Sequence, residues 1–284
     1  MACVRGSIAV LALTALAVCP TATAAETAVK LGGVEAVVWT PDTPIAKAPV
    51  VVFSHGISLC ATQSRYLTQA AARAGYLVVA PQHADRNCVT AGEEPGDSDG
   101  FAGKPALLWT DGDYRDRRDD VRNVLAAMKT DERYRDADFT RIGLVGHSLG
   151  GYTVLGLAGA WPSWTLDNVR AVVALSPYVR PYTRTGGVAK LKAPVLYEGG
   201  TRDVFTPSLP GAYQRSPAPK AYVEFASTSH YAWTDDGPGD PSTRAAMAAW
   251  AIAFLDRYVK GRTDVAFPDP KSPGIAKALR TPAR

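Results

Sequence analysis

The segment 146–150 reads GHSLG and has the spacing G-x-S-x-G, with a serine between two glycines. An apolar run over 142–145 predicts a strand before it, and small residues over 149–160 predict a helix after it. A sharp turn from strand to helix holds such a serine in strained backbone geometry, and only residues without bulk fit beside it. The pattern therefore predicts that Ser148 is a nucleophile. The alternative is a tight structural turn with a spectator serine.

A nucleophilic serine needs a general base, which in proteins is most often histidine. On the fold that carries this serine turn, the chain order is serine, then acid, then histidine. Of the four histidines, His55 and His83 precede Ser148, and His147 is expected to point its side chain away from it. His230 is thus predicted to be the base. The alternative is an ordinary histidine on a surface loop.

The acid that orients the base must lie between Ser148 and His230. Candidates are Asp167, Glu198, Asp203 and Glu224. Asp203 follows a predicted strand directly, and loops at the carboxyl ends of strands carry catalytic groups in open α/β sheets. We predict that Asp203 accepts a hydrogen bond from the histidine and stabilises the imidazolium. Glu198 is the reserve candidate, and turn capping is the alternative role for Asp203.

Acyl transfer also needs backbone N–H groups directed at the developing oxyanion. One donor comes from the residue after the nucleophile, here Leu149, and the other from a loop after an earlier strand. The loop after the apolar run 50–53 contains Gly56, which lets the chain turn closely. We therefore predict Ile57 as the second donor. A plain turn at a strand end is the alternative.

Strands and helices alternate along the chain, which predicts a mostly parallel sheet with helices on both faces, an α/β class of fold. No internal repeat or linker divides the sequence, so one domain is expected. The polar stretch 82–112 is expected to be a functional or mobile loop, and the polar tail after Lys260 carries no predicted element. The predicted strands are 34–40, 50–53, 76–80, 142–145, 169–175, 195–197 and 221–225, and the predicted helices 62–74, 114–129, 149–160 and 244–258.

Residues 1–24 are typical of a secretory signal peptide, followed by a catalytic domain over 25–284. Arg5 precedes an apolar run over 8–18, and Ala22 and Ala24 fit the small-residue rule for cleavage. The run is too short for a bilayer, which needs about 20 residues. The mature protein is thus expected to be secreted or periplasmic, without a membrane span. A retained anchor and lipidation of Cys19 are the alternatives.

The mature chain keeps two cysteines, Cys60 and Cys88. Each follows a predicted strand by a few residues, so both loops leave the same edge of the sheet. An even pair in an exported protein is a disulfide candidate. We predict a Cys60–Cys88 disulfide, with two separate buried thiols as the alternative.

The charge pattern argues against nucleic acid as a partner. The formal net charge is +4, and no dense basic block occurs. Arg115, Arg117 and Arg118 are interleaved with aspartates, which predicts a solvated helix start. No cluster of His, Cys, Asp and Glu has ligand spacing, so neither a metal nor another cofactor is expected.

Four segments together resemble a known group of enzymes: 51–56, 75–81, 119–122 and 146–152. They are similar to bacterial hydrolases related to dienelactone hydrolases and platelet-activating-factor acetylhydrolases, over roughly 34–258 as a pattern-level estimate. The resemblance implies the α/β-hydrolase fold and cleavage of carboxylic esters without a cofactor. It also implies the triad Ser148, Asp203 and His230, with Ile57 and Leu149 as oxyanion donors.

Two departures from related enzymes bear on the substrate. Dienelactone hydrolases proper use a cysteine nucleophile, so Ser148 argues against dienelactone. Polyester hydrolases of related pattern carry an aromatic residue and a methionine where this chain has Ile57 and Leu149, so polyester cleavage is not favoured.

The sequence thus favours hydrolysis of a small or lipid-like ester. A serine peptidase or amidase, and an acyltransferase, use the same residues, while an inactive binding protein is disfavoured by the complete triad order. Trp161, Trp164 and Trp233 either line a pocket or belong to the core, and the core is favoured.

Overall fold

The computed structural model describes residues 24–41, 43, 45–86, 88 and 104–282. Residues 1–23 of the proposed leader 1–24, and residues 87 and 89–103 of the long polar stretch, lie outside them. Nine strands of the described chain form a single sheet in the order β1-β2-β4-β3-β5-β6-β7-β8-β9. The strands are β1 Ala25–Leu31, β2 Val34–Thr40, β3 Ala48–Ser54, β4 Leu77–Pro81, β5 Ala137–His147, β6 Val169–Leu175, β7 Val195–Gly200, β8 Lys220–Phe225 and β9 Ile275–Thr281.

The central strands β3 to β8 run parallel, and β1, β2 and β9 pair antiparallel at the two ends of the sheet. Every residue of β3, β4 and β7 is buried. Such continuous burial is expected of parallel strands that helices cover on both faces. The predicted α/β class and mostly parallel sheet are confirmed.

Helices cover both faces of this sheet. One apolar cluster packs α1 and α6 against one face, and a second cluster packs the remaining helices against the other. The helices are α1 Arg65–Arg73, α2 Arg115–Thr130, α3 Leu149–Leu155, α4 Arg180–Thr185, α5 Leu209–Arg215 and α6 Pro241–Tyr258.

Two strands were not predicted, β1 at one edge of the sheet and β9 at the other. Half-exposed, polar strands lack the continuous apolar run by which the central strands were recognised. For β1 a signal existed, because Gly32 and Gly33 both have positive φ and join β1 to β2 in a two-residue hairpin. The expectation that the polar tail carries no element is wrong, since β9 pairs with β8 there.

The predicted helix over 149–160 is shorter than expected. Regular α-helix ends at Leu155, and 156–160 continue as a wider turn in which Gly159 has φ 113°. Trp164 and Trp233 are fully buried and Trp161 is nearly so, which agrees with the core interpretation of these three tryptophans. Among the described helices, none combines the length and apolar character needed to cross a membrane.

Candidate active site

Ser148 occupies the sharp turn between β5 and α3, with φ 56° and ψ −116°. A Cβ atom on Gly146 would lie 2.3 Å from the carbonyl oxygen of Gly150, and one on Gly150 would lie 1.9 Å from that of Ser54. No side chain fits at either distance. The turn therefore requires both glycines, and the unusual backbone of Ser148 is held by its surroundings.

The structure brings the predicted nucleophile, base and acid together. Ser148 Oγ lies 2.9 Å from His230 Nε2. The other ring nitrogen of His230, Nδ1, lies 3.3 Å from Asp203 Oδ1 and 3.4 Å from Oδ2. Ser148 follows β5, Asp203 follows β7 and His230 follows β8, so all three lie at one carboxyl edge of the sheet.

Asp203 is held by its own backbone and by its neighbours. Its N–H donates to the carbonyl of Gly200 at 3.0 Å, and its Oδ1 accepts from the Phe205 N–H at 3.0 Å. Burial raises the pKa of Asp203, but hydrogen bonds from His230, the Phe205 N–H and Ser176 outweigh it and leave the pKa below its usual value. The group is therefore an ionised acceptor at neutral pH.

Ser176 is a member of this cluster that sequence reasoning missed. It follows β6, is fully buried, and its hydroxyl donates to Asp203 Oδ2. Its Oγ also lies 2.8 Å from His230 Nδ1. The available signal was its position directly after a strand, at the same edge as the other three residues.

Glu198, the reserve acid, lies elsewhere. It is fully buried within β7, where its Oε2 accepts from the Trp233 Nε1 at 3.0 Å. Its Oε1 has no hydrogen-bond partner among the described residues, and burial raises the pKa of Glu198 to about 8. Burial outweighs the hydrogen bond from Trp233, which acts in the opposite direction, so Glu198 is an uncharged core residue at neutral pH.

His147 holds the backbone of the predicted base, His230. Burial lowers the pKa of His147 to about 3, so its ring is neutral. Gln63 Nε2 lies 3.0 Å from His147 Nδ1, and His147 Nε2 lies 2.9 Å from the carbonyl oxygen of His230. The simplest proton assignment has Gln63 donating to Nδ1 and Nε2–H donating to His230, which fixes the backbone of His230.

The predicted oxyanion loop lies against Ser148. A Cβ atom on Gly56 would be 3.4 Å from Ser148 Cβ. The Ile57 N–H has no acceptor among the described residues. Leu149 begins α3, and the first N–H groups of a helix lack an intrahelical acceptor. Both amides are thus available to a ligand oxygen.

Arg117 holds this loop from α2 and is fully buried, so the prediction of a solvated helix start is wrong for this residue. Its guanidinium donates to the carbonyl of His55 at 2.7 Å and to that of Gly56 at 3.3 Å. It also forms an ion pair with Asp85, in which Nη2 lies 2.8 Å from each carboxylate oxygen. The physical reason is that the His55 carbonyl and the Asp85 carboxylate are both buried here, and the arginine donates to both.

A second Ser-His-Asp constellation lies beneath the loop. Ser54 Oγ is 2.9 Å from His83 Nε2, and His83 Nδ1 is 2.8 Å from Asp120 Oδ2. Burial lowers the pKa of His83 well below its usual value and raises that of Asp120 to about 6. Ser54 and His83 are fully buried, so this constellation is a packed network out of reach of substrate. The His83 N–H donates to His55 Nε2 at 2.9 Å and so joins it to the oxyanion loop.

The predicted disulfide is present. Cys60 and Cys88 are joined, with their Cα atoms 5.7 Å apart. Cys60 lies just past the oxyanion loop, and the bond ties that region to the stretch after β4. Among the described residues, no group of three or more His, Cys, Asp or Glu side chains is arranged to hold a metal.

Apolar and aromatic side chains flank the base. The Phe205 ring lies 4.7 Å from that of His230, and the Tyr178 ring lies 4.3 Å from Phe205. Val204 and Tyr231, which adjoin the acid and the base in sequence, are 75% and 57% exposed. Two exposed side chains beside the acid and the base in sequence are thus apolar or aromatic.

An open, mostly parallel sheet with a nucleophile turn after β5 defines the α/β-hydrolase fold. The model of the dienelactone hydrolase family matches residues 34–225, from β2 to the end of β8. The chain belongs to the dienelactone hydrolase family and is a hydrolase of the α/β fold. The matched region contains Ser148 and Asp203 and ends before His230.

Proposed function

We propose that the protein is an exported serine hydrolase that cleaves carboxylic esters through an acyl-enzyme on Ser148. The observation that carries the proposal is the 2.9 Å separation between Ser148 Oγ, on its strained turn, and His230 Nε2. That distance lies within hydrogen-bond reach, as a nucleophile and its base require.

Acylation begins when Ser148 Oγ attacks the ester carbonyl carbon while His230 Nε2 takes the serine proton. The carbonyl oxygen becomes an oxyanion, which accepts hydrogen bonds from the N–H groups of Ile57 and Leu149. Asp203 stabilises the imidazolium. The tetrahedral intermediate then collapses, the bond to the alcohol oxygen breaks, and His230 returns the proton to the departing alcohol.

Deacylation repeats these steps with water. His230 takes a proton from a water molecule, whose oxygen attacks the acyl carbon. Collapse of the second intermediate breaks the bond to Ser148 Oγ, and His230 returns the proton to it. A carboxylic acid leaves, and the enzyme is restored without a cofactor.

The apolar surroundings of the base support a small or lipid-like ester as substrate. The Phe205 ring packs at a tilt against His230, and the Tyr178 ring packs against Phe205. Val204 and Tyr231, next to Asp203 and His230 in sequence, are exposed. Apolar walls with a few convergent polar groups are typical of sites for such molecules. Ser148 in place of cysteine argues against dienelactone itself.

Export is supported by the leader-like residues 1–24 and by the disulfide. Stable disulfides are typical of oxidising compartments outside the cytosol. We therefore propose a secreted or periplasmic location.

A parallel screen tests the reaction. Purified protein is assayed on p-nitrophenyl esters of increasing acyl length and on peptide p-nitroanilides, beside Ser148→Ala. We expect ester hydrolysis that Ser148→Ala abolishes. Cleavage of the anilides alone would point to a peptidase or amidase, and transfer of the acyl group to an added alcohol faster than to water would point to an acyltransferase.

A further inference from the structure

Ser176 lies between the acid and the base of the proposed triad. Its Oγ is 2.8 Å from His230 Nδ1, whereas the carboxylate oxygens of Asp203 are 3.3 and 3.4 Å from the same nitrogen. Hydrogen bonds from N–H to oxygen are typically 2.7–3.2 Å long. The shortest contact of Nδ1 is therefore with the serine, and the direct contact with Asp203 is the longer one.

The chemistry of the groups fixes the direction of the hydrogen bonds. An ionised carboxylate only accepts, so the Ser176 hydroxyl donates its single proton to Asp203 Oδ2. The lone pairs of the same oxygen then remain for the Nδ1–H of His230. With the proton on Nδ1, the Nε2 atom is unprotonated and faces Ser148 Oγ as an acceptor, as a general base requires.

We propose that Ser176 is a positioning residue. Its hydroxyl forms a hydrogen-bonded relay between Asp203 and His230 and so keeps the base in its reactive tautomer. The inference rests on the proposed hydrolysis. It adds a fourth member to the triad, one that acts through His230 and contacts no substrate.

The backbone holds Ser176 rigidly in this place. Its N–H donates to the carbonyl of Glu198 at 2.8 Å, and its φ of 43° lies in the left-handed region that few residues other than glycine adopt. The preceding residue, Leu175, accepts a hydrogen bond from the Ser148 N–H at 2.9 Å. The same strand end therefore anchors the nucleophile and the bridging hydroxyl.

Two variants distinguish the effect of losing the Ser176 hydroxyl from the effect of relieving its strained backbone. Ser176→Ala keeps a Cβ in the same strained conformation, and Ser176→Gly relieves it, but both lack the hydroxyl. A hydrogen bond to a charged group corresponds to a change on the order of 10- to 100-fold. We expect kcat on a p-nitrophenyl ester to fall by that factor in both, with KM within about twofold. A full-rate Ser176→Ala enzyme, or a loss confined to Ser176→Gly, would overturn the proposal.

A double-mutant cycle with Asp203→Asn tests the relay itself. If Ser176 acts through Asp203, the double variant Ser176→Ala/Asp203→Asn loses little more than Asp203→Asn alone. Fully additive losses would contradict the relay. The acid limb of the kcat/KM profile against pH should also move in Ser176→Ala, which a role in packing alone does not produce.

A spectroscopic readout does not depend on activity. In protein labelled with ¹⁵N-histidine, the Nδ1–H resonance that disappears in His230→Ala is assigned to His230. We expect Ser176→Ala to shift or broaden that resonance, and an unchanged resonance would overturn the proposal. A wild-type protein inert on every ester would refute the proposed function, while this spectrum still decides the role of Ser176.

Discussion

The two candidates for the orienting acid, Asp203 and Glu198, have different partners, and their variants should behave differently. Asp203 is ionised and faces His230, whereas Glu198 is buried and bonded to Trp233. Asp203→Asn should lower kcat by on the order of 10⁴-fold, since the amide favours the wrong tautomer of the base. Glu198→Gln keeps the shape of the side chain and should stay within about threefold of wild type, as expected for a residue outside the reaction.

Steady-state kinetics of the two variants on one p-nitrophenyl ester is the measurement. An active Asp203→Asn enzyme beside an inactive Glu198→Gln enzyme would transfer the role of the acid to Glu198.

Glu198 also makes stability depend on pH. Its pKa of about 8 in the folded protein exceeds the usual value of 4.5. Between these values the folded state holds a proton that the unfolded state has lost, so the free energy of unfolding falls as pH rises. Relative to Glu198→Gln, wild type should therefore lose thermal stability from pH 5 to pH 8. Melting curves of both proteins across that range check this, and two parallel dependences on pH would contradict it.

At the scale of elements, α2 supports the oxyanion loop through one buried ion pair. Removing a single partner of such a pair leaves an unpaired buried charge and costs about 3–5 kcal/mol. Arg117→Met should therefore lower the free energy of unfolding by about that amount, because Asp85 and the His55 carbonyl lose their donor. Arg115→Met is the matched control, since Arg115 is exposed on the same helix turn. Urea denaturation measures the free energy of unfolding of both variants, and equal stability would refute the supporting role of Arg117.

The disulfide joins the loop after β3 to the stretch after β4. The cysteines are 28 residues apart, and a chain-entropy account of a loop that long gives roughly 3–4 kcal/mol. The double variant Cys60→Ser/Cys88→Ser should accordingly melt at lower temperature. Reduced wild type should melt close to it. A double variant that melts with unreduced wild type would show that the bond adds no stability.

The elements that sequence predicts well are those whose signal is local. Continuous apolar runs identify the central strands, because burial on both faces demands them at every position. The edge strands β1 and β9 depend on pairing with β2 and β8, and their residues are polar and partly exposed. Arg117 and Ser176 were missed for a related reason. Each gains its role from groups distant in sequence, the carbonyls of the 55–56 turn for one and Asp203 with His230 for the other.

At the scale of the whole molecule, parallel strands account for the assembly of the site. Every parallel strand ends at the same edge, so the loops after β3, β5, β6, β7 and β8 meet there. They bring Ile57, Ser148, Ser176, Asp203 and His230 together although 173 residues separate the first from the last (230 − 57). The order of the triad residues in the chain is predictable for this reason. The distances between their side chains are set only by folding.

The central claim is that Ser148 is the nucleophile, and covalent labelling tests it most directly. In the part of the chain that the structure describes, two serines are hydrogen-bonded to a histidine Nε2, Ser148 and the buried Ser54. Purified wild type, Ser148→Ala and Ser54→Ala are treated with a fluorophosphonate, and the adduct is located by peptide mass spectrometry. We predict a single adduct on Ser148 in wild type and in folded Ser54→Ala, and none in Ser148→Ala. An adduct on Ser54, or undiminished labelling of Ser148→Ala, would contradict the account.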